Sequence, residues 1–122
     1  MKRIDEQPDR EDRILFEIIV DAYGETERAM GWYYYLQDKM QLPFQATGRL
    51  ALATSPLKVG MKTDVIDLAA EDDCMLEILV VVTSGKSKLA VPLAQLECHA
   101  ADKDTFQAVA DWHYWVARGY EY

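Results

Sequence analysis

Four aromatic residues in succession, Trp32-Tyr33-Tyr34-Tyr35, sit inside the stretch RAMGWYYYLQDKMQLPF that runs from Arg28 to Phe44. They fill one turn of a helix with more contact area than a helix of a chain this short usually needs. They also hold the carboxylate that follows, Asp38, on a stiff support. Near the other end, Asp111-Trp112-His113-Tyr114-Trp115 repeats the arrangement of an acid beside dense aromatics. Rings of this kind bury their faces and satisfy a polar tip at the edge. Their expected use is therefore a packed frame, with acids on its surface to hold a cation. A recognition groove for proline-rich peptides is the lesser use, because the aromatics fall on helices and not on loops between strands.

The rest of the chain divides by hydrophobic period. The first ten residues are charged and expected to fray. From Glu11 the apolar positions Ile14, Leu15, Ile18, Ile19 and Ala22 fall at helical spacing. Gly24 is the expected break before a second helix over 25–40, which buries Ala29, Tyr33, Leu36 and Met40. Pro43 prevents its continuation. Residues 45–53, 62–69, 75–83 and 86–93 read as strands, with Ser84-Gly85-Lys86 as a hairpin turn. A last helix spans 102–117, N-capped by Asp102 or Asp104 and ended by Gly119. Its expected apolar stripe is Phe106, Val109, Ala110, His113 and Val116, widened by Trp112 and Trp115. Asp111 falls on the opposite, polar stripe. The pattern gives one α+β domain over 1–122: helical over 11–41, a small β-barrel over 44–99, and a helix over 102–118.

Composition narrows the partners. The 122 residues carry 21 acids against 13 bases, a net charge of −8. That balance disfavours nucleic acid and anionic membranes, and suits cations or basic partners. The acids are spread: residues 1–40 hold ten against six bases, so folding must assemble any cation site. The charged N-terminus lacks the apolar core of a secretory signal, and no apolar run reaches the length of a membrane span. A cytoplasmic protein is expected, with Cys74 and Cys98 reduced.

Calcium prefers six to eight oxygen ligands. The chain has no EF-hand loop, so a site must combine distant segments or use backbone carbonyls. Glu71-Asp72-Asp73 is the best local cluster, because a cation relieves the repulsion among adjacent carboxylates; otherwise it is a solvated loop. Asp38 lies at a helix end whose last carbonyls carry partial negative charge, so a cation there could use both. Asp111 is expected to be exposed; it could supply a ligand, accept from a neighbouring Tyr or Trp, or pair with a Lys on a nearby strand. Asp21 and Glu25 flank the Gly24 break as a further pair, while Asp64 and Asp67 read as ordinary exposed strand positions. Catalysis finds little support. Cys98 and His99 are adjacent on a strand and point to opposite faces, and His113 shares an apolar stripe.

The segments ERAMGWYYYLQDKM leading into LPF, LAVPLAQLE, and ADWHYWVARGYEY resemble the CcbP family of small acidic bacterial calcium-binding proteins, from about Asp21 to Tyr122. The resemblance implies an SH3-like small barrel flanked by helices, calcium held at surface acids, and calcium sequestration or buffering in the cytoplasm. It places the family's helix-end carboxylate on Asp38, while Gln37 stands where the family more often has a second acid. The expectation is a monomeric, non-enzymatic calcium binder with Asp38, Glu71, Asp72, Asp73 and Asp111 as metal ligands. The rival is an acidic protein–protein interaction module with no metal function.

Overall fold

A computed structural model describes residues 5–50, 55–99 and 101–119. Helix α1 spans Pro8–Arg13 and continues as a π-helical turn over Ile14–Ile18. Proline at the start of α1 loses nothing, since the first backbone N–H groups of a helix have no partner. The chain leaves this segment at Asp21, where φ is +56°. Aspartate tolerates that left-handed geometry better than most residues. The break thus comes three residues before Gly24, which instead precedes α2 (Glu25–Lys39) in an extended conformation.

Strands β1 (Phe44–Gly48), β2 (Lys62–Leu68), β3 (Leu79–Ser84), β4 (Ser87–Pro92) and β5 (Leu96–His99) form one antiparallel sheet in the order β4-β3-β2-β1-β5. The β3–β4 hairpin turns at Gly85, with φ of +59°, as expected at the first position of a tight turn. Helix α3 spans Lys103–Ala117 and is capped by Asp102, whose side chain accepts from the Thr105 N–H.

Fold class and the order of helices and strands agree with the sequence reading, but several boundaries do not. The closed barrel is not found among the described residues: β4 and β5 are the sheet's two edges. Residues 71–74 form a 3-10 turn and β3 starts only at Leu79, so Glu77 precedes the strand. β5 carries Cys98 and His99, the pair that the sequence places on a strand without bounds, and it follows a 3-10 turn over Leu93–Gln95. The first expected strand ends at Gly48, and its last part, 51–53, lies outside the described residues.

The N-terminal segment is docked from Gln7 onward. The Gln7 N–H donates to the Tyr114 hydroxyl at 3.0 Å, and that hydroxyl donates to Glu11 Oε1 at 2.8 Å. Residues 1–4 of the segment expected to fray lie outside the described residues. The expected α2 stripe of Ala29, Tyr33, Leu36 and Met40 is buried, together with Trp32. The expected α3 stripe is rotated: Val109, Trp112 and Trp115 are buried, but Phe106 and Val116 are exposed, while Asp111 and Tyr114 point inward. The reason is that α3 is covered twice, by α2 on one side and by α1 on the other.

Candidate metal site

The aromatic run forms a frame, as its composition implies. Trp32 is fully buried and meets Trp112 edge-on, with ring centroids 5.1 Å apart, and Trp115 at 5.7 Å. Successive helix positions differ by about 100°, so the three tyrosines diverge to separate partners. Tyr33 donates to the Ala69 carbonyl at 2.8 Å, Tyr34 to Glu71 Oε1 at 3.0 Å, and Tyr35 to Asp111 Oδ2 at 2.9 Å. One turn of α2 therefore ties itself to the end of β2, to the acidic 3-10 turn and to α3.

Two of these tethers position the acidic turn. Ala69 immediately precedes the turn's N-terminal flank, and Cys74 closes it from beneath, its buried sulfur accepting from the Leu79 N–H at 3.4 Å. Glu71, Asp72 and Asp73 stay exposed on a backbone held at both ends. Asp38 lies one helical turn beyond Tyr34, on the same face of α2. Its side chain is 77% exposed, and its nearest base is Lys39, with Nζ at 3.8 Å. An exposed pair at that distance adds little stability. The frame thus brings the Glu71–Asp73 turn beside the helix face that carries Tyr34 and Asp38.

Asp111 is corrected. It is fully buried. Arg13 grips it with two hydrogen bonds, Nη2 to Oδ1 at 2.6 Å and Nε to Oδ2 at 3.0 Å. Arg10 Nε lies 3.1 Å from Oδ1, and Tyr35 donates to Oδ2. Burial, and then the charge of Asp111, push the Tyr35 hydroxyl pKa well up, so it serves as a donor. Oδ2 thus has two donors, and Oδ1 has one donor with a second cation, Arg10, beside it. Of the roles open to Asp111, acceptance from a tyrosine is realised; its bases are not a strand lysine but Arg10, from the part expected to fray, and Arg13, from the expected first helix.

The remaining candidates stay apart. Asp21 and Glu25 are exposed on the turn between the helical segments, and Asp64 and Asp67 are exposed on β2. His99 is exposed and hydrogen-bonded to the Thr47 hydroxyl at 2.9 Å, while Cys98 is half-buried. Burial, then the charge of Asp102, push the Cys98 thiol up to about 11. It is a poor nucleophile at neutral pH.

His113 is half-buried at the edge of the core. Its Nε2 donates to the Leu93 carbonyl at 3.2 Å. Burial, and then the charge of Arg49, lower its pKa to about 4, against weaker opposing hydrogen bonds to the backbone. The folded imidazole stays neutral where the unfolded one, with an ordinary pKa near 6.5, takes a proton. Its contribution is therefore complete above pH 6.5 and is lost as pH falls toward 4. Between pH 7.5 and pH 5 this amounts to about 1–2 kcal/mol. Urea titrations at the two pH values should show that loss, and His113→Gln should reduce the difference between them. An unchanged difference in the variant would assign it to the carboxylates.

Among the described residues, no group of three or more His, Cys, Asp or Glu side chains is arranged to hold a metal ion. The exposed donors are all carboxylate oxygens, which suit a hard cation and not zinc. In type they fit calcium; the rest of a coordination shell would have to come from backbone carbonyls and water. Sequence reasoning found the acids of this surface. It missed the Tyr34–Glu71 bond, the Arg13 grip on Asp111 and the Arg10–Asp111 ion pair, which join residues 37 and about 100 positions apart.

Comparison with known proteins bears on the same surface. The CcbP family profile, described as calcium binding, matches residues 12–116. The crystal structure of Anabaena CcbP is 39% identical, with a TM-score of 0.88 over 100% of both chains. A calcium-binding protein in its calcium-binding form is 38% identical, with a TM-score of 0.85 over 95% of each chain. No curated protein matches the sequence. No helix among the described residues is long and apolar enough to cross a membrane.

Proposed function

Because this chain belongs to the CcbP family of calcium-binding proteins, we propose that it binds calcium ions at Asp38 and at the Glu71–Asp73 turn, without catalysis. The observation that carries this reading is the Tyr34–Glu71 bond, which fixes the acidic turn against α2, and Asp38 follows Tyr34 by one turn of that helix. The carboxylates are exposed and carry no tight ion pair, so they can exchange water for a cation at small cost. Carbonyls of the last turn of α2 lack intrahelical partners and supply further oxygens near Asp38. Asp111 is not carried forward as a ligand, because its oxygens are already occupied.

The role inferred is buffering or sequestration in the cytoplasm, by a monomer. The aromatic frame supports this, since a surface held by buried rings binds an ion without opening a groove, unlike sensor EF-hands. An SH3-like arrangement is also inferred. Its support is the strand order, with β1 to β4 as a meander and β5 returning beside β1 after a 3-10 turn.

Calcium titration calorimetry on chelator-treated protein tests the reading. Saturable binding is expected, weakened at least about tenfold, or about 1.4 kcal/mol, by Asp38→Asn. The combined Glu71→Gln, Asp72→Asn and Asp73→Asn variant should remove a comparable share of the heat. Binding insensitive to both variants would move the site elsewhere. No calcium heat and no competition with magnesium would leave the acidic interaction module as the function.

A further inference from the structure

The segment leaving α1 exposes more apolar surface than its neighbours. Leu15 is 48% exposed, Phe16 71%, Val20 54% and Tyr23 86%. They surround the π-helical turn Ile14–Ile18, a geometry that is rare and recurs at functional sites. Beside it runs a groove between this turn and α2, lined by Glu17, Val20, Gly31, Tyr34, Asp38 and Lys39. The flanking charge is one-sided: from Asp12 to Glu27 the chain has five acids, all exposed, and one base, Arg13. Arg13 is engaged with Asp111. Among the described residues Lys39 is the one base in the groove lining, 3.8 Å from Asp38, so the rim stays predominantly acidic; apolar residues within such a rim repel anionic lipid and attract a partner of the opposite pattern.

We propose that this groove docks a basic amphipathic helix of a partner protein. Its apolar face lies on Val20 and Tyr34 in the groove and extends to the exposed Phe16, four residues before Val20, and its Lys or Arg side chains reach Glu17, Asp38 and the acids from Asp12 to Glu27. Two helical segments lying side by side offer a lengthwise groove of the kind that receives such a helix. The groove shares Asp38 with the calcium site proposed above, so peptide and calcium compete there, while Phe16, Val20 and Glu17 belong to the groove side alone.

The test is fluorescence anisotropy with a labelled amphipathic helix made of Lys and Leu, in the presence of a chelator, so that its outcome does not bear on the calcium site. A peptide of the same composition, scrambled so that its leucines share no face, is the control. Binding on the order of 10 μM is expected for the amphipathic peptide, and about tenfold weaker for the scrambled one. Phe16→Ser and Val20→Ser should each weaken it severalfold without lowering the melting temperature, since both side chains are exposed, and Glu17→Gln should flatten its salt dependence. Equal affinity for the two peptides would reduce the effect to net charge and overturn the proposal. So would serine variants that bind as well as the parent. Sedimentation showing that the chain pairs with itself, and that Phe16→Ser separates the pair, would make a second copy the occupant and also overturn it.

Discussion

Replacing Asp111 with alanine is expected to lower the unfolding free energy by about 3–5 kcal/mol, because it leaves two arginines and a tyrosine hydroxyl facing an empty acceptor site. Arg10 and Arg13 retain 27% and 21% of their side-chain exposure, so they regain some water, which favours the lower end. Tyr35 is mostly withdrawn from solvent and loses the acceptor of its hydroxyl proton. Asp111→Asn keeps the shape but not the charge, and should cost less. Arg10→Ala should cost least, about 1 kcal/mol, since its partner keeps Arg13 and Tyr35. Urea denaturation of the four proteins gives the order directly. A loss below about 1 kcal/mol for Asp111→Ala would mean that α1 does not hold the helix in solution. Calcium titration of folded Asp111→Asn separates the structural role from a ligand's, and the calcium heat is expected to be unchanged.

Gly31→Ala is expected to destabilise, against the trend for glycine in a helix interior. By helix propensity alone alanine should gain about 1 kcal/mol there. A Cβ on Gly31, however, would lie 2.4 Å from the Ile18 carbonyl oxygen and 3.5 Å from the Ile19 Cα. Both neighbours are backbone, so α2 and the π-helical turn would have to move apart, and the buried side chains between them with it. Overpacking of this kind costs about 1–3 kcal/mol. With the displaced backbone at the upper end of that range, the net loss is about 2 kcal/mol, or roughly 5–10 °C in melting temperature. A melting temperature that rises would show that the two segments are not in close contact. Gly24→Ala is the control, because a Cβ there meets nothing within 4 Å and its backbone is extended. It should change stability by no more than about 0.5 kcal/mol.

Both predictions turn on the N-terminal segment, which is also where the sequence was least informative. Its first ten residues read as a solvated arm, yet Arg10, with Arg13 of the expected helix, is a partner of a buried acid, and Pro8 opens the helix that carries both. Nothing local distinguishes an arginine that will be half-buried from one that will not. For the same reason Asp111 was placed outside. Helical phase fixes which residues share a face but not which faces will be covered, and α3 is covered on two. Local signals did locate the Asp102 cap, the Gly85 turn, the apolar stripe of α2 and the acids of the candidate site. The Asp21 break was missed because a left-handed aspartate leaves a weaker trace than a glycine.

Residue spacing and composition were sufficient for the α+β class, the element order and the acidic surface, because these depend on neighbours along the chain; the family entered separately, as a resemblance carried by rare strings such as GWYYYLQD. The open sheet, the burial of Asp111, the close approach at Gly31 and the bond from Tyr34 to Glu71 required the tertiary structure. Each depends on which surfaces meet across tens of residues, and that is decided by packing the whole chain at once, where one docked helix changes the environment of an acid about 100 positions away.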